Sequence, residues 1–235
     1  VQTASATEQW TKQLVDLARA HACSRHPLFD YLQTVELTPH SAGRLLRNYD
    51  AHAALLRRLL LKASTLMPEP AVGYVLENVR NEYGNGDYRD NHAQQLKEVA
   101  LAAGCSEAEF LAMPVMPGIK KFLRAVGKYC YPLRQSGFTG LIKPAISAGA
   151  ITATELLAVE EFRAMHVAFS RIGCGHHIWF NHVLLEQEHT NESVALAVLF
   201  AQNYDAFASV QAGMNGVLDA NMHLYDGLLA ALKSA

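Results

Sequence analysis

The chain has 235 residues, half of them hydrophobic (50%) and only 18% charged, with a formal net charge of −2. That is ample apolar material for a large core, and it excludes a disordered polymer. With 20 basic against 22 acidic side chains there is no cationic excess to neutralise a phosphate backbone, so no nucleic-acid partner is expected. A bilayer span needs roughly 18 apolar residues in succession. The longest plain run, Val194 to Ala201, falls well short, so no membrane partner is expected either.

In chain order, Trp10, Leu14, Leu17 and Ala18 form one face of a first helix. Thr38-Pro39 reads as a cap followed by proline at the first helical position, opening a helix through GRLLRNYDAHAALLRRLLLKA. Pro68 and Pro70 interrupt it, and a new helix runs through AVGYVLENVRNEY. Ser106 and Glu109 make a capping box for a short helix that Pro114 and Pro117 end. A further helix is expected over about 120–134, a break at Gly137 and Gly140, and a new turn at Pro144. Helices follow at about 152–172 and 176–189, and a last helical region extends from Asn191 to about Leu232, kinked at Gly213 and Gly216. There is no alternating strand pattern, no repeat and no linker. The expectation is a single all-α domain, 1–235, of eight or nine helices.

The cysteines, Cys23, Cys105, Cys130 and Cys174, form no CxxC pair and read as free core thiols of a reducing, cytoplasmic compartment. The N-terminal VQTASATEQW has no signal-peptide pattern. Eleven histidines direct the search to metal. The sharpest signal is HVLLEQEH: His182, Glu186 and His189 stand at i, i+4 and i+7, on one helical face. Given 11 histidines and 22 acids in 235 residues, about 0.05 such matches are expected by chance. Two imidazoles and a carboxylate on one face make a half-site for a transition metal.

Glu82 and His92 form a second signal in NEYGNGDYRDNH. A regular helix would hold them about 15 Å apart, so a shared site needs the chain to unwind at Gly84 and Gly86; otherwise a helix simply ends at Gly84 and His92 starts the next. A third acidic group, Glu155, falls within the apolar stripe of Ile151, Ala158, Phe162, Met165, Phe169 and Ile172. A carboxylate there needs a partner, and a metal is one, although Thr152-x-x-Glu155 also fits a capping box. Glu161 lies beside the stripe and is the second choice.

Glu82, a His ten residues on, a Glu on another helix and then His-x3-acid-x2-His together resemble the haem-oxygenase-like di-metal oxidases. These are helical proteins on the haem oxygenase and thiaminase-like scaffold. LLRNY and ENVRNEYGNGDY look similar as well, and the resemblance runs from about 37 to 189. It departs in the second helix, where many members carry a Glu that would fall within 55–58; no acid stands there, and Asp50 and His52 are displaced. A branch with Glu in the middle of the last motif, which includes enzymes converting tryptophan-type amino acids to nitriles, replaces the missing Glu by a second one on the Glu155 helix. This brings Glu161 into the ligand set.

The resemblance implies two Fe2+ ions per chain and O2 as co-substrate. The implied substrate is a small amino-acid-derived or fatty-acid-like molecule, oxidised by N-oxygenation, desaturation or C–C cleavage in specialised metabolism. Two rival readings share the scaffold: a metal-free thiaminase-like hydrolase using Cys130 of KYCYPL, and a non-catalytic ligand-binding bundle. Tyr83 and Tyr88 flank the Glu82 segment as core or supporting residues. His21 and His26 read as structural or exposed. The Ala-, Val- and Leu-rich C-terminal segment suits core or homodimer packing.

Overall fold

In a computed structural model, residues 6–132, 138 and 140–234 are described, with only the backbone for 182–190. The described residues form an all-α structure with no strand. In order, the helices are α1 (Ala6–Ala20), α2 (Pro27–Thr34), α3 (Pro39–Ser64), α4 (Glu69–Glu82), α5 (His92–Ala102), α6 (Glu107–Ala112), α7 (Pro117–Cys130), α8 (Lys143–Arg171), α9 (His182–Asn203) and α10 (Phe207–Lys233). Short 3₁₀ turns join several of them.

Local chemistry accounts for most of the boundaries. The Thr38 hydroxyl accepts the Ser41 N–H at 3.1 Å, and the Ser41 hydroxyl accepts the Thr38 N–H at 2.9 Å, closing a capping box at the start of α3. Ser106 and Glu109 do the same for α6. Arg44, also near the start of α3, donates to the Ser234 carbonyl at 2.6 Å, satisfying one of the orphan carbonyls after α10.

Helices α8 and α10 form the centre, and each is buried on most of its circumference. A helix that is apolar nearly all round has to lie inside a bundle. They approach closely because glycines face backbone: a Cβ at Gly149 would run into the Val210 carbonyl, and one at Gly213 into that of Ile146. Helices α7, α3, α9 and α2 surround this pair.

Several boundaries depart from the sequence expectations. Helix α8 starts at Lys143 rather than near 152, because residues 145–151 are small or apolar and continuously buried. Glu155 is therefore in mid-helix and Thr152 caps nothing: its hydroxyl is shared between the Ala148 carbonyl (2.9 Å) and the Ser193 carbonyl of α9 (2.7 Å). The expected final helix is split after Asn203, where Asp205 takes φ 47°. Gly213 and Gly216 do not kink α10, which runs unbroken; they admit neighbouring groups instead. The helix expected over 120–134 spans Pro117–Cys130, and 133–137 lie outside the described residues. The helix expected over 176–189 is a 3₁₀ turn, Ile178–Asn181, followed by α9.

Candidate metal centre

Glu82 is the last residue of α4 and His92 the first of α5. Between them Gly84 (φ 74°), Asn85 (φ 54°) and Gly86 (φ 98°) take three successive left-handed conformations, which glycine adopts without steric cost. The chain doubles back so tightly that a Cβ on Gly84 would stand 2.7 Å from the Asn91 nitrogen. Asp87 then accepts the Arg89 N–H (2.9 Å) and Asn91 accepts the Ala93 N–H (2.9 Å), which caps α5 so that His92 opens it. Glu82 Oε1 ends 3.1 Å from His92 Nδ1. Helix end and unwound loop are thus one device, and Glu82 meets the imidazole.

Both residues face a cavity between α3, α4, α5, α7, α8 and α10. Glu155 and Glu161 line it from α8. Burial, and then the charges of Glu82, Glu161 and Glu192, push the Glu155 carboxyl up to about 8. Glu161 is 6% exposed, and its two oxygens accept hydrogen bonds from Tyr49 (2.8 Å) and Tyr225 (2.7 Å). Burial raises its pKa and the two hydroxyls oppose the shift. The Tyr225 phenol is pushed well above its ordinary value by burial and by Glu161.

Arg57 of α3 lines the same cavity, with its nitrogens 3.8 Å from Glu82 and 3.7 Å from Asp50. His52, five residues earlier, is 4% exposed, packs edge-on against Tyr49 and Phe122, and is held neutral because burial pulls its pKa down to about 4. Phe162 and Trp179 (ring centroids 4.8 Å apart) add an aromatic wall. Cys130 also reaches the cavity, with its thiol pushed up to about 12 by burial.

The side chains of His182, Glu186 and His189 lie outside the described residues; their backbone is helical and belongs to α9, which packs on α8 and α4. Among the described residues no group of three or more His, Cys, Asp or Glu side chains closes onto one point. The sequence reading missed Glu192, which is close enough to Glu155 to raise its pKa. Extending the His182, Glu186, His189 face by one more turn would have found it. His52, Arg57 and Asn221 carried no periodic signal at all.

His21 and His26 are structural. Each ring Nδ1 accepts a backbone N–H two residues on, and each Nε2 meets an aspartate of α10 at 3.2 Å, Asp219 and Asp226 respectively. Tyr83 caps the end of α4, while Tyr88 is 77% exposed.

The described residues thus form a helical bundle in which carboxylates and an imidazole face one cavity. The family model described as iron-containing redox enzyme matches residues 43–222, and the chain belongs to that family. Among solved structures, the chain is similar to a CADD-like protein of unknown function from Nostoc punctiforme (18% identity, 97% of this chain and 98% of the other, TM-score 0.72). It is also similar to a domain of unknown function with a haem oxygenase-like fold from Shewanella denitrificans (12% identity, 99% and 95%, TM-score 0.70). A TenA homologue from Pseudomonas syringae pv. tomato is similar too (13% identity, 98% and 99%, TM-score 0.68). At these identities the likeness is one of fold. No curated protein matches the chain.

Proposed function

We propose that this protein is a non-haem di-iron oxidase that uses O2 to oxidise a small molecule held in the cavity. The observation that carries the reading is the meeting of Glu82 and His92 at 3.1 Å across ten residues, on the wall of a cavity that also contains buried Glu155. Three carboxylates, Glu82, Glu155 and Glu161, and the His92 imidazole line one cavity, and carboxylates brought this close together favour a cation between them. Oxygen and imidazole donors suit a divalent transition metal.

Glu82, His92 and Glu155, with His182, Glu186 and His189 from α9, would hold two ferrous ions, which supply the oxygen-activating chemistry when bound. The surrounding side chains have their own tasks. Glu82 orients the His92 ring through Nδ1. Tyr49 and Tyr225 fix Glu161 in one orientation while leaving it a further lone pair on each oxygen, so it remains available as an additional ligand. Trp179, Phe162 and Phe122 keep water from the reacting end of the cavity.

The hydrolase alternative has one observation in its favour, that Cys130 reaches the cavity. Its thiol keeps its proton at neutral pH, and no described histidine is seen to activate it. Oxygen uptake by the anaerobically ferrous-loaded protein, measured against a panel of small carboxylates, tests the proposal. Substrate-dependent uptake that disappears in Glu155→Gln is expected. Uptake equal to that of free iron for every compound would refute it.

A further inference from the structure

The cavity has polar groups that the proposed metal ligands do not account for. Arg57 is 7% exposed, and its guanidinium stands 3.8 Å from Glu82 and 3.7 Å from Asp50, both longer than a good N–H···O bond. A buried guanidinium normally seeks a planar, two-pronged carboxylate partner at hydrogen-bond length. On α10, Asn221 is 3% exposed, lines the same cavity, and its Oδ1 has no hydrogen-bond donor. The rest of the lining is apolar: Leu56, Leu60, Phe122, Ile151, Leu224. Buried polar atoms are ordinarily satisfied, and the Asn221 oxygen, open to this cavity, is placed to meet a donor on a bound ligand.

We infer that Arg57 is the specificity-determining anchor of this cavity, holding the carboxylate of a small ligand whose apolar body lies against Phe122 and Leu224 and whose hydrogen-bond donor meets Asn221. As a statement about substrate it rests on the oxidase reading, since the ligand so held would be the molecule oxidised. The charges point the same way. Glu82 is shared between Arg57 and His92 as the site stands, and a divalent cation drawing on Glu82 would leave Arg57 with Asp50 as its remaining carboxylate neighbour among the described residues. Carboxylate and metal should therefore strengthen each other's binding.

The test uses 3-phenylpropanoate, its uncharged amide, and L-phenylalanine, which is the same acid with an added ammonium donor. Binding to the whole protein is measured by calorimetry with and without zinc, which is redox-inert. The wild type should prefer 3-phenylpropanoate to the amide by about ten-fold or more, more strongly with zinc. Arg57→Gln should abolish the preference, and Arg57→Lys should retain a part of it, so that the result does not depend on one variant folding. Asn221→Leu should remove any advantage of L-phenylalanine over 3-phenylpropanoate. A preference that survives in Arg57→Gln would mean that the carboxylate is held elsewhere, on the metal for instance, and overturns the inference. So would failure of all three probes to bind. Absence of zinc binding would instead count against the metal site, and an Arg57-dependent preference in the zinc-free protein would then stand alone.

Discussion

His92 Nδ1 lies 3.1 Å from Glu82 Oε1, although ten residues separate them and a continuous helix would hold them about 15 Å apart. Three left-handed residues, Gly84 to Gly86, close that distance. Gly84 is the least replaceable of them, because its φ is 74° and its Cβ position is occupied by the Asp90–Asn91 backbone. Gly84→Ala is predicted to destabilise the protein by about 2–4 kcal/mol and to lower metal affinity by pulling Glu82 and His92 apart. Gly86→Ala, with open space around its Cβ, carries only the φ penalty and should cost less. Chemical denaturation of the two variants, alongside metal titration, checks the order.

Glu155 and Glu161 should behave differently. Glu155 has like charge nearby from Glu82, Glu161 and Glu192, and Glu161 accepts hydrogen bonds from two tyrosines. Glu155→Gln is predicted to stabilise the metal-free protein, since it removes a buried carboxyl pushed up to about 8, and to lower iron stoichiometry. Glu161→Gln should lose less iron than Glu155→Gln. Tyr225→Phe should cost about 1.5–3 kcal/mol by removing a donor from a buried carboxylate. Equal iron loss in the two glutamine variants would contradict this division of roles.

His52 predicts a pH dependence. Its folded pKa, about 4, is below the ordinary 6.5 because burial disfavours the charged ring. The unfolded chain therefore binds the extra proton first as pH falls. Stability should be full above about 6.5 and decline between there and about 4, by at most about 3 kcal/mol from this residue. Between about pH 7.5 and 4.5 the wild type should lose more unfolding free energy than His52→Gln. Parallel curves would show that His52 does not titrate in this way.

Much of this was legible in the sequence. Capping signals at Thr38 and Ser106 act through neighbours in the chain and predicted their local structure, while the paired glycines after Glu82 allowed both a plain helix end and an unwound stretch that brings Glu82 to His92. The start of α8 was not legible, because a run of Ala, Gly and Ser has little periodicity and is helical here through burial against α10. Arg57 and Asn221 sit on different helices, and only packing brings them to one cavity. Glu161 was read from its place beside an apolar stripe, but its two tyrosines come from α3 and α10, 112 and 64 residues away.

Cys130 separates the oxidase from the hydrolase. Its buried thiol, pushed up to about 12, should resist iodoacetamide at pH 8 in the native protein and react readily once unfolded. Cys130→Ala should keep its iron and its oxygen-dependent activity. Rapid native alkylation that abolishes a metal-independent hydrolysis would support the hydrolase instead.

The most direct test is the iron content after anaerobic ferrous loading and gel filtration, for wild type and His182→Ala. Close to two irons per chain, falling by at least about one in the variant, is the result predicted here. Wild-type protein that retains no more iron than His182→Ala would contradict the di-iron assignment.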